Sequence, residues 1–287
     1  NLFAHLRRPN TVAGSRRNIG EHYDLGNDFY RLFLDATMSY SGGIFRSESD
    51  TLEAAQHAKM QAIIDLAELG PEDHVLEIGC GWGGFALEAV RLTGCRLTGI
   101  TISREQFDWA TRRVREEGLE DRISILLTDY RHVRGSFSAV VSIEMLEAVG
   151  HSNLPLYFAT LDRLLAPGGR AVLQVITMPD QKYCAYCRGS DWIRKHIFPG
   201  GHLPSIGAII RAMSGRTRLN ITRMEDVGLH YARTLELWRK AGAHLEGDLV
   251  KFPPGMLREI LKSAPAVFTQ HARNPANNVQ IGGNNVV

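Results

Sequence analysis

From His74 onward the chain alternates short apolar runs with amphipathic stretches, and that alternation admits few folds. His74–Ile78, Arg96–Ile102, Ile123–Leu127, Ala139–Ile143 and Ala171–Ile176 read as strands, and Gly84–Leu92, Arg104–Glu117 and Leu154–Leu165 read as helices. Strands that alternate with helices bury both their faces as a parallel sheet covered on each side. The expectation is an α/β chain, a doubly wound and mostly parallel sheet of Rossmann-like form. A length of 287 residues suits one extended domain with insertions.

The segments outside this alternation divide the chain further. Residues 1–17, with the pairs Arg7-Arg8 and Arg16-Arg17 and an opening Asn1, read as a linker remnant of a missing N-terminal region. Residues 18–70 carry no strand signal and read as a helical cap, and 71–178 as the ligand-binding core. The span 179–223 breaks the alternation with corners at Pro199-Gly-Gly201 and Pro204, as an inserted lid would. Residues 224–270 return to the core, and the Asn/Gly-rich stretch 271–287 reads as an irregular tail.

Composition narrows the partners. Lys and Arg number 33 against 31 Asp and Glu, a net charge of +2, too even for bulk charge to point to nucleic acid. Cys80, Cys95, Cys184 and Cys187 form no disulfide framework, and no apolar run approaches the roughly 20 residues that cross a bilayer. A cytoplasmic chain is expected, with any membrane contact transient and at the surface.

Val75-Leu-Glu-Ile-Gly-Cys-Gly-Trp-Gly83 puts alternate glycines where a strand turns into a helix. A backbone without Cβ atoms can approach a ligand there, with helix N–H groups facing it; a tight turn with no ligand is the alternative. Glu77 ahead of the first glycine and the Gly-x-Gly-x-Gly spacing depart from the dinucleotide fingerprint. The pattern resembles that of S-adenosylmethionine methyltransferases and implies their class I fold. The second strand ends at Gly99-Ile-Thr-Ile-Ser103 without an acid for ribose hydroxyls, which leaves Thr101 and Gln106 as polar groups at that edge. The third ends at Thr128-Asp-Tyr130, where Asp129 and Tyr130 suit an adenine amino group and ring, or Asp129 serves as a cap.

Flanking segments make a narrower resemblance. His22–Tyr30, Met38-Ser-Tyr-Ser41, Glu77–Gly83, Ser142–Glu147 with Gly150-His151, Ile197–Ser205 and His230–Trp238 resemble, in order, the cyclopropane fatty acid synthase and mycolic acid cyclopropane synthase family. That resemblance implies Tyr40 and Ser41 over the methionine part of the cofactor. It implies backbone contact from Gly79 and Gly81, Thr101 and Gln106 at the ribose, and Tyr130 by the adenine. It also implies a bicarbonate ion held by a Cys, a Glu, a His, a Tyr and a backbone amide. Glu147, Tyr231 and Ile176 fall on the Glu, Tyr and amide positions, whereas Gly42 stands in place of the Cys and Gln174 in place of the His. A glutamine can hold an anion but does not titrate near neutral pH. Such a residue also resembles relatives that make mid-chain methyl-branched acids.

The implied reaction transfers a methyl carbon from S-adenosylmethionine to the double bond of an unsaturated acyl chain, of phospholipid, giving a cyclopropane or a methyl branch. A carbocation arises on the acyl chain, and aromatic faces stabilise such a charge by roughly 0.5–2 kcal/mol each. Tyr23, Tyr40, Phe45, Phe198 and Tyr231 are the candidates. Glu147 is the expected base or anion-orienting group; Glu144, three residues earlier in the same turn, either shares the site or, as the favoured reading, is structural. Trp192, Ile193, Ile197, Phe198, Leu203, Ile206, Ile209, Ile210 and Met213 supply either an acyl tunnel or plain core. Arg194, Lys195 and His196 join the N-terminal arginines as candidates for an anionic surface. Cys184-Ala-Tyr-Cys187 alone is a weak metal signal, and no spacing among His151, His202 and His230 makes a triad, so no metal is expected. A homodimer is compatible with these readings. A methyltransferase for another acceptor, and a cofactor-binding relative without catalysis, remain open.

Overall fold

The strand His74–Ile78 (β1) has neighbours on both sides, and that placement organises the molecule. In the computed structural model, which describes residues 10–11, 14–15, 26–189, 200–243 and 278–285, β1 pairs in parallel with Arg96–Thr101 (β2) and with Phe137–Ile143 (β4). Ile123–Leu127 (β3) lies beyond β2, and Leu165–Ile176 (β5) beyond β4, all parallel. Asn278–Asn285 (β7) then runs antiparallel to β5, and Leu219–Asp226 (β6) antiparallel to β7, giving the order β3-β2-β1-β4-β5-β7-β6. Val75, Leu76, Ala139, Val140 and Val141 are fully enclosed, as central parallel strands must be. Edge strand β3 instead alternates, leaving Leu126 41% exposed.

The helices sit where amphipathic patterning puts them. One core layer packs Met60, Ile63 and Ile64 of Leu52–Ala67 (α2, after the short α1 at Asn27–Arg31), and Phe85, Leu87 and Val90 of Gly84–Thr93 (α3), against the sheet. On that side Val114 comes from Arg104–Glu116 (α4). The opposite layer holds Tyr157, Phe158 and Leu161 of Leu154–Leu164 (α5), Tyr183 of Asp180–Arg188 (α6), and Ile209 and Met213 of Ile206–Met213 (α7). Thr51 and Ser103 cap α2 and α4 by accepting from Ala54 N and Gln106 N. A third cluster joins Phe29, Tyr30, Leu34, Met38 and Trp82 to Trp238 of Gly228–Ala243 (α8), fastening the cap segment over the carboxyl ends of β1 and β2.

Two sequence expectations fail here. The Asn/Gly-rich end is not irregular over 278–285: β7 inserts between β5 and β6, and pairing on both sides supplies the order its side chains lack. The inserted lid does not extend to 223 as one block, because β6 begins at Leu219. Its Arg223-Met-Glu-Asp226 end carries charges that hide the strand period.

Candidate active site

Strand order reverses between β1 and β4, and a crevice outside the carboxyl ends of parallel strands opens at such a point. Gly79, Gly81 and Gly83 turn the chain from β1 into α3 with φ of 83, 52 and 83°. Gly79 N and Cys80 N both donate to Ile100 O, at 3.0 and 2.9 Å, which fixes the turn to the end of β2. A Cβ on Gly79 would stand 2.7 Å from Met145 Cγ, whereas one on Gly81 meets nothing within 4 Å. Open space over Gly81 and tight packing under Gly79 are what a backbone cradle for a ligand requires. The Arg113 guanidinium donates to Thr37 O and Trp82 O at 3.1 and 3.3 Å, tying the cap to that turn.

The expected cofactor residues surround this turn. Thr101 Oγ1 donates to Gln106 Oε1 at 2.9 Å, and both residues are buried, Thr101 at the end of β2 and Gln106 in the first turn of α4. Tyr40 packs edge-on to Tyr30 and Phe33 and at a tilt to Trp238, with ring centroids 5.4, 6.1 and 5.2 Å away. Buried Ser41 accepts from Lys59 Nζ at 2.7 Å, and its carbonyl accepts from Gln56 Nε2 at 2.8 Å. Glu77 is buried with Oε2 lacking a partner among the described residues, and burial pushes its carboxyl up to about 8. Burial likewise pulls the Lys59 ammonium down to about 8, against the attraction of Glu144, Asp35 and Glu77. Lys59 escaped the sequence reading, although its spacing of four from Ala55 and Ile63 put a charge in an apolar stripe.

Asp129 caps the turn at Tyr130–His132 by accepting from Arg131 N at 3.0 Å. Both its oxygens also accept from the Arg131 guanidinium, at 2.8 and 2.7 Å, and Arg131 reaches on to Asn10 O and Ser15 Oγ. The cap alternative therefore describes its bonding. Tyr130 packs edge-on to Tyr157 with centroids 5.2 Å apart.

The five positions implied for bicarbonate do converge. Gln174 Nε2 donates to Gly42 O at 3.0 Å, a Cβ on Gly42 would lie 2.4 Å from Tyr231 Cδ2, and Ile176 N donates to Glu147 Oε1 at 2.5 Å. Their donors, however, are spent inside the chain. Glu144 Oε1 takes Gly42 N–H and Gln174 Nε2, each at 2.8 Å. The Ile176 amide, expected on a bound anion, goes to Glu147. A bicarbonate here would meet the Glu144 carboxyl group, which already takes the Gly42 and Gln174 donors, so these residues do not fit that ion. Glu144, read as structural, lies at the centre instead. It holds φ 47°, a conformation that costs a non-glycine residue roughly 1–2 kcal/mol. Burial raises the Glu144 carboxyl, opposed by the bonds from Gly42 and Gln174 and by Lys59. Burial, then the Glu144 charge, pushes Glu147 up to about 8. Burial also holds the Tyr231 phenol well above its ordinary range.

Other candidates divide. The face of Phe45 already carries the Arg233 guanidinium 4.2 Å from its centroid, so it is not free for a cationic chain. Tyr23, Trp192, Ile193, Ile197, Phe198 and the basic residues Arg7, Arg8, Arg16, Arg17, Arg194, Lys195 and His196 lie outside the described residues. Ile209 and Met213 are plain core, Leu203 and Ile206 pack against it, and Ile210 is exposed. His151, Cys187 and His202 bring ligand atoms within 4.8 Å of one another, which sequence spacing did not reveal. Tyr183 OH stands between the two histidines at 2.7 Å from His151 Nδ1 and from His202 Nε2, and His202 N donates to Glu147 O at 2.7 Å.

Comparison with known proteins agrees with this geometry. Residues 11–254 match the model of the family described as mycolic acid cyclopropane synthetase. The chain belongs to that family. The tuberculostearic acid methyltransferase UfaA1 of Mycobacterium tuberculosis is 43% identical over 233 residues, covering 79% of this chain and 54% of that one. The cyclopropane-fatty-acyl-phospholipid synthase of Escherichia coli is 39% identical over 218 residues, covering 76% and 54%. The chain thus spans about half the length of these relatives. The crystal structure of the mycolic acid cyclopropane synthase CmaA1 complexed with SAH and CTAB superposes with a TM-score of 0.87 at 28% identity, over 94% of this chain and 98% of that one. Like other members of the family, the chain has the class I methyltransferase fold, a mostly parallel sheet flanked by helices.

Proposed function

We propose that the chain transfers a methyl carbon from S-adenosylmethionine to the double bond of an unsaturated acyl chain, presented by phospholipid at a membrane surface. One observation carries this reading. The turn bearing Glu144 and Glu147 packs directly on the glycine turn, with Met145 against Gly79, so two half-buried carboxyl groups adjoin the cofactor cradle. Gly79 and Gly81 approach the cofactor through backbone, Thr101 and Gln106 hold its ribose, and Tyr130 borders its adenine. Tyr40 and Ser41 close over the methionine part, and buried Glu77 supports the turn from below. When bound, the cofactor supplies an electrophilic methyl group on a sulfonium.

An isolated alkene is a weak nucleophile, so the chain's own contribution is alignment and the exclusion of water. The aromatic wall of Tyr30, Phe33, Tyr40 and Trp238 does both, and Tyr40 and Tyr231 offer rings to a positive acyl chain. Glu147, held by Ile176 N–H and by its turn, orients the proton-accepting side. Proton loss from the new methyl closes a cyclopropane, and loss from a neighbouring carbon leaves a branched alkene. Saturation to a methyl branch would need a separate hydride donor. Among the described residues no helix is long and apolar enough to cross a membrane, which agrees with docking from one side. Incubation with S-adenosylmethionine and vesicles tests the reading: S-adenosylhomocysteine should form with dioleoyl but not distearoyl phospholipid. Equal formation with both would refute an olefinic acceptor.

A further inference from the structure

Glu144 Oε1 accepts from Gly42 N–H and Gln174 Nε2 at 2.8 Å each, and its own N–H donates to Gln174 O at 2.8 Å. Two donors therefore hold the side-chain oxygen and a third bond holds the backbone, on a residue in a left-handed conformation that favours glycine. The two departures at Gly42 and Gln174 and this carboxylate are one arrangement. A cysteine Cβ at 42 would collide with Tyr231, a glutamine at 174 donates without titrating, and both donate to residue 144. The oxygen that sits between them belongs to the protein.

We propose that Glu144 is the fixed anion and proton acceptor of this centre, so that the chain's reaction needs no dissolved bicarbonate. The inference rests on the reading of methyl transfer to an acyl double bond. In that reaction the alkene π pair forms the new carbon–carbon bond while the sulfur–carbon bond breaks, its electrons staying on sulfur. The acyl cation then releases one proton to a Glu144 oxygen. The freed C–H pair closes the ring or forms a new double bond, and the proton passes on to solvent. No oxidant, reductant or further reactant enters.

The experiment compares the wild-type chain with Glu144→Gly and Glu144→Gln in carbon-dioxide-stripped buffer, with and without added bicarbonate or formate. S-adenosylhomocysteine binding and thermal midpoint are measured to confirm folding; glycine suits the left-handed backbone at 144. Wild-type turnover should not change with bicarbonate. Glu144→Gly should lose roughly 10²–10⁴-fold, as for removal of a proton-transfer group, and regain part of it with either small anion. Glu144→Gln, which leaves no space, should lose as much and regain nothing. Wild-type turnover that collapses without bicarbonate, or a Glu144→Gly variant as active as wild type in stripped buffer, would overturn the proposal. Binding is read separately by NMR saturation transfer from the protein to formate and to ¹³C-bicarbonate. Uptake by Glu144→Gly and not by wild type supports the proposal, and wild-type uptake contradicts it. Wild-type protein that methylates no lipid in any buffer would instead sink the functional reading, while the binding arm still decides whether Glu144 occupies the anion position.

Discussion

Gly42 lies flat against the ring of Tyr231: a Cβ at 42 would stand 2.4 Å from Cδ2 and 3.3 Å from Cε2. The tyrosine therefore occupies space that a side chain at 42 would claim. Gly42→Cys should shift Tyr231, destabilise the fold by about 1–3 kcal/mol through overpacking, and lower turnover more than cofactor affinity. Thermal unfolding and S-adenosylhomocysteine titration check this, and an unaltered midpoint with full turnover would contradict the contact.

Gly81 sits at φ 52° with open space where a side chain would go. Gly81→Val should cost about 1–2 kcal/mol of backbone strain and weaken cofactor binding by well over roughly tenfold, about 1.4 kcal/mol per decade. Calorimetric titration with S-adenosylhomocysteine decides it: a variant that binds as wild type does would remove Gly81 from the cradle.

Lys59 Nζ donates to Ser41 Oγ and to Gln56 Oε1, at 2.7 and 2.5 Å, and faces buried Glu77. Lys59→Met removes these two hydrogen bonds and the cation that attracts Glu77, and should destabilise the chain by about 1–3 kcal/mol. The double variant Lys59→Met/Glu77→Gln should recover part of the loss. Denaturant midpoints that add without recovery would show that the two charges are not coupled.

Stability should decline from pH 5 to pH 8. The Glu147 carboxyl, ordinarily near 4.5, is pushed up to about 8 in the fold by burial and then by Glu144. Between those values the folded chain holds a proton that the unfolded chain has released, so raising the pH favours unfolding. Glu77 acts in the same direction over the same window, while the lowered Lys59 acts oppositely only above about 8. Glu147→Gln should flatten the slope of thermal midpoint against pH; an unchanged slope would place Glu147 in water.

Sequence reasoning reached the sheet because its information is local. Runs such as Val75-Leu-Glu-Ile78 and Ala139-Val-Val-Ser-Ile143 are apolar on both faces only in covered parallel strands, and the glycine turn declares itself by spacing. It missed β7 because five of the eight residues of Asn278–Asn285 are Asn or Gly, which strands disfavour, and its pairing partners lie more than 50 residues away in the chain for β6 and over 100 for β5. The contacts of Glu144 were hidden for a similar reason. Its partners Gly42 and Gln174 are 102 and 30 residues distant, and nothing near position 144 announces that their donors converge on it. His151, Cys187 and His202 likewise lie 36 and 15 residues apart in the chain and meet only in the fold.

The fate of the methyl carbon tests the account most directly. The chain, ¹³C-methyl S-adenosylmethionine and dioleoyl phospholipid are allowed to turn over, and the lipid is read by carbon NMR. The label should appear bonded to a former olefinic carbon, as a ring methylene or as a branch carbon. Label on oxygen or nitrogen, or none in the acyl chain while S-adenosylhomocysteine accumulates, would contradict it.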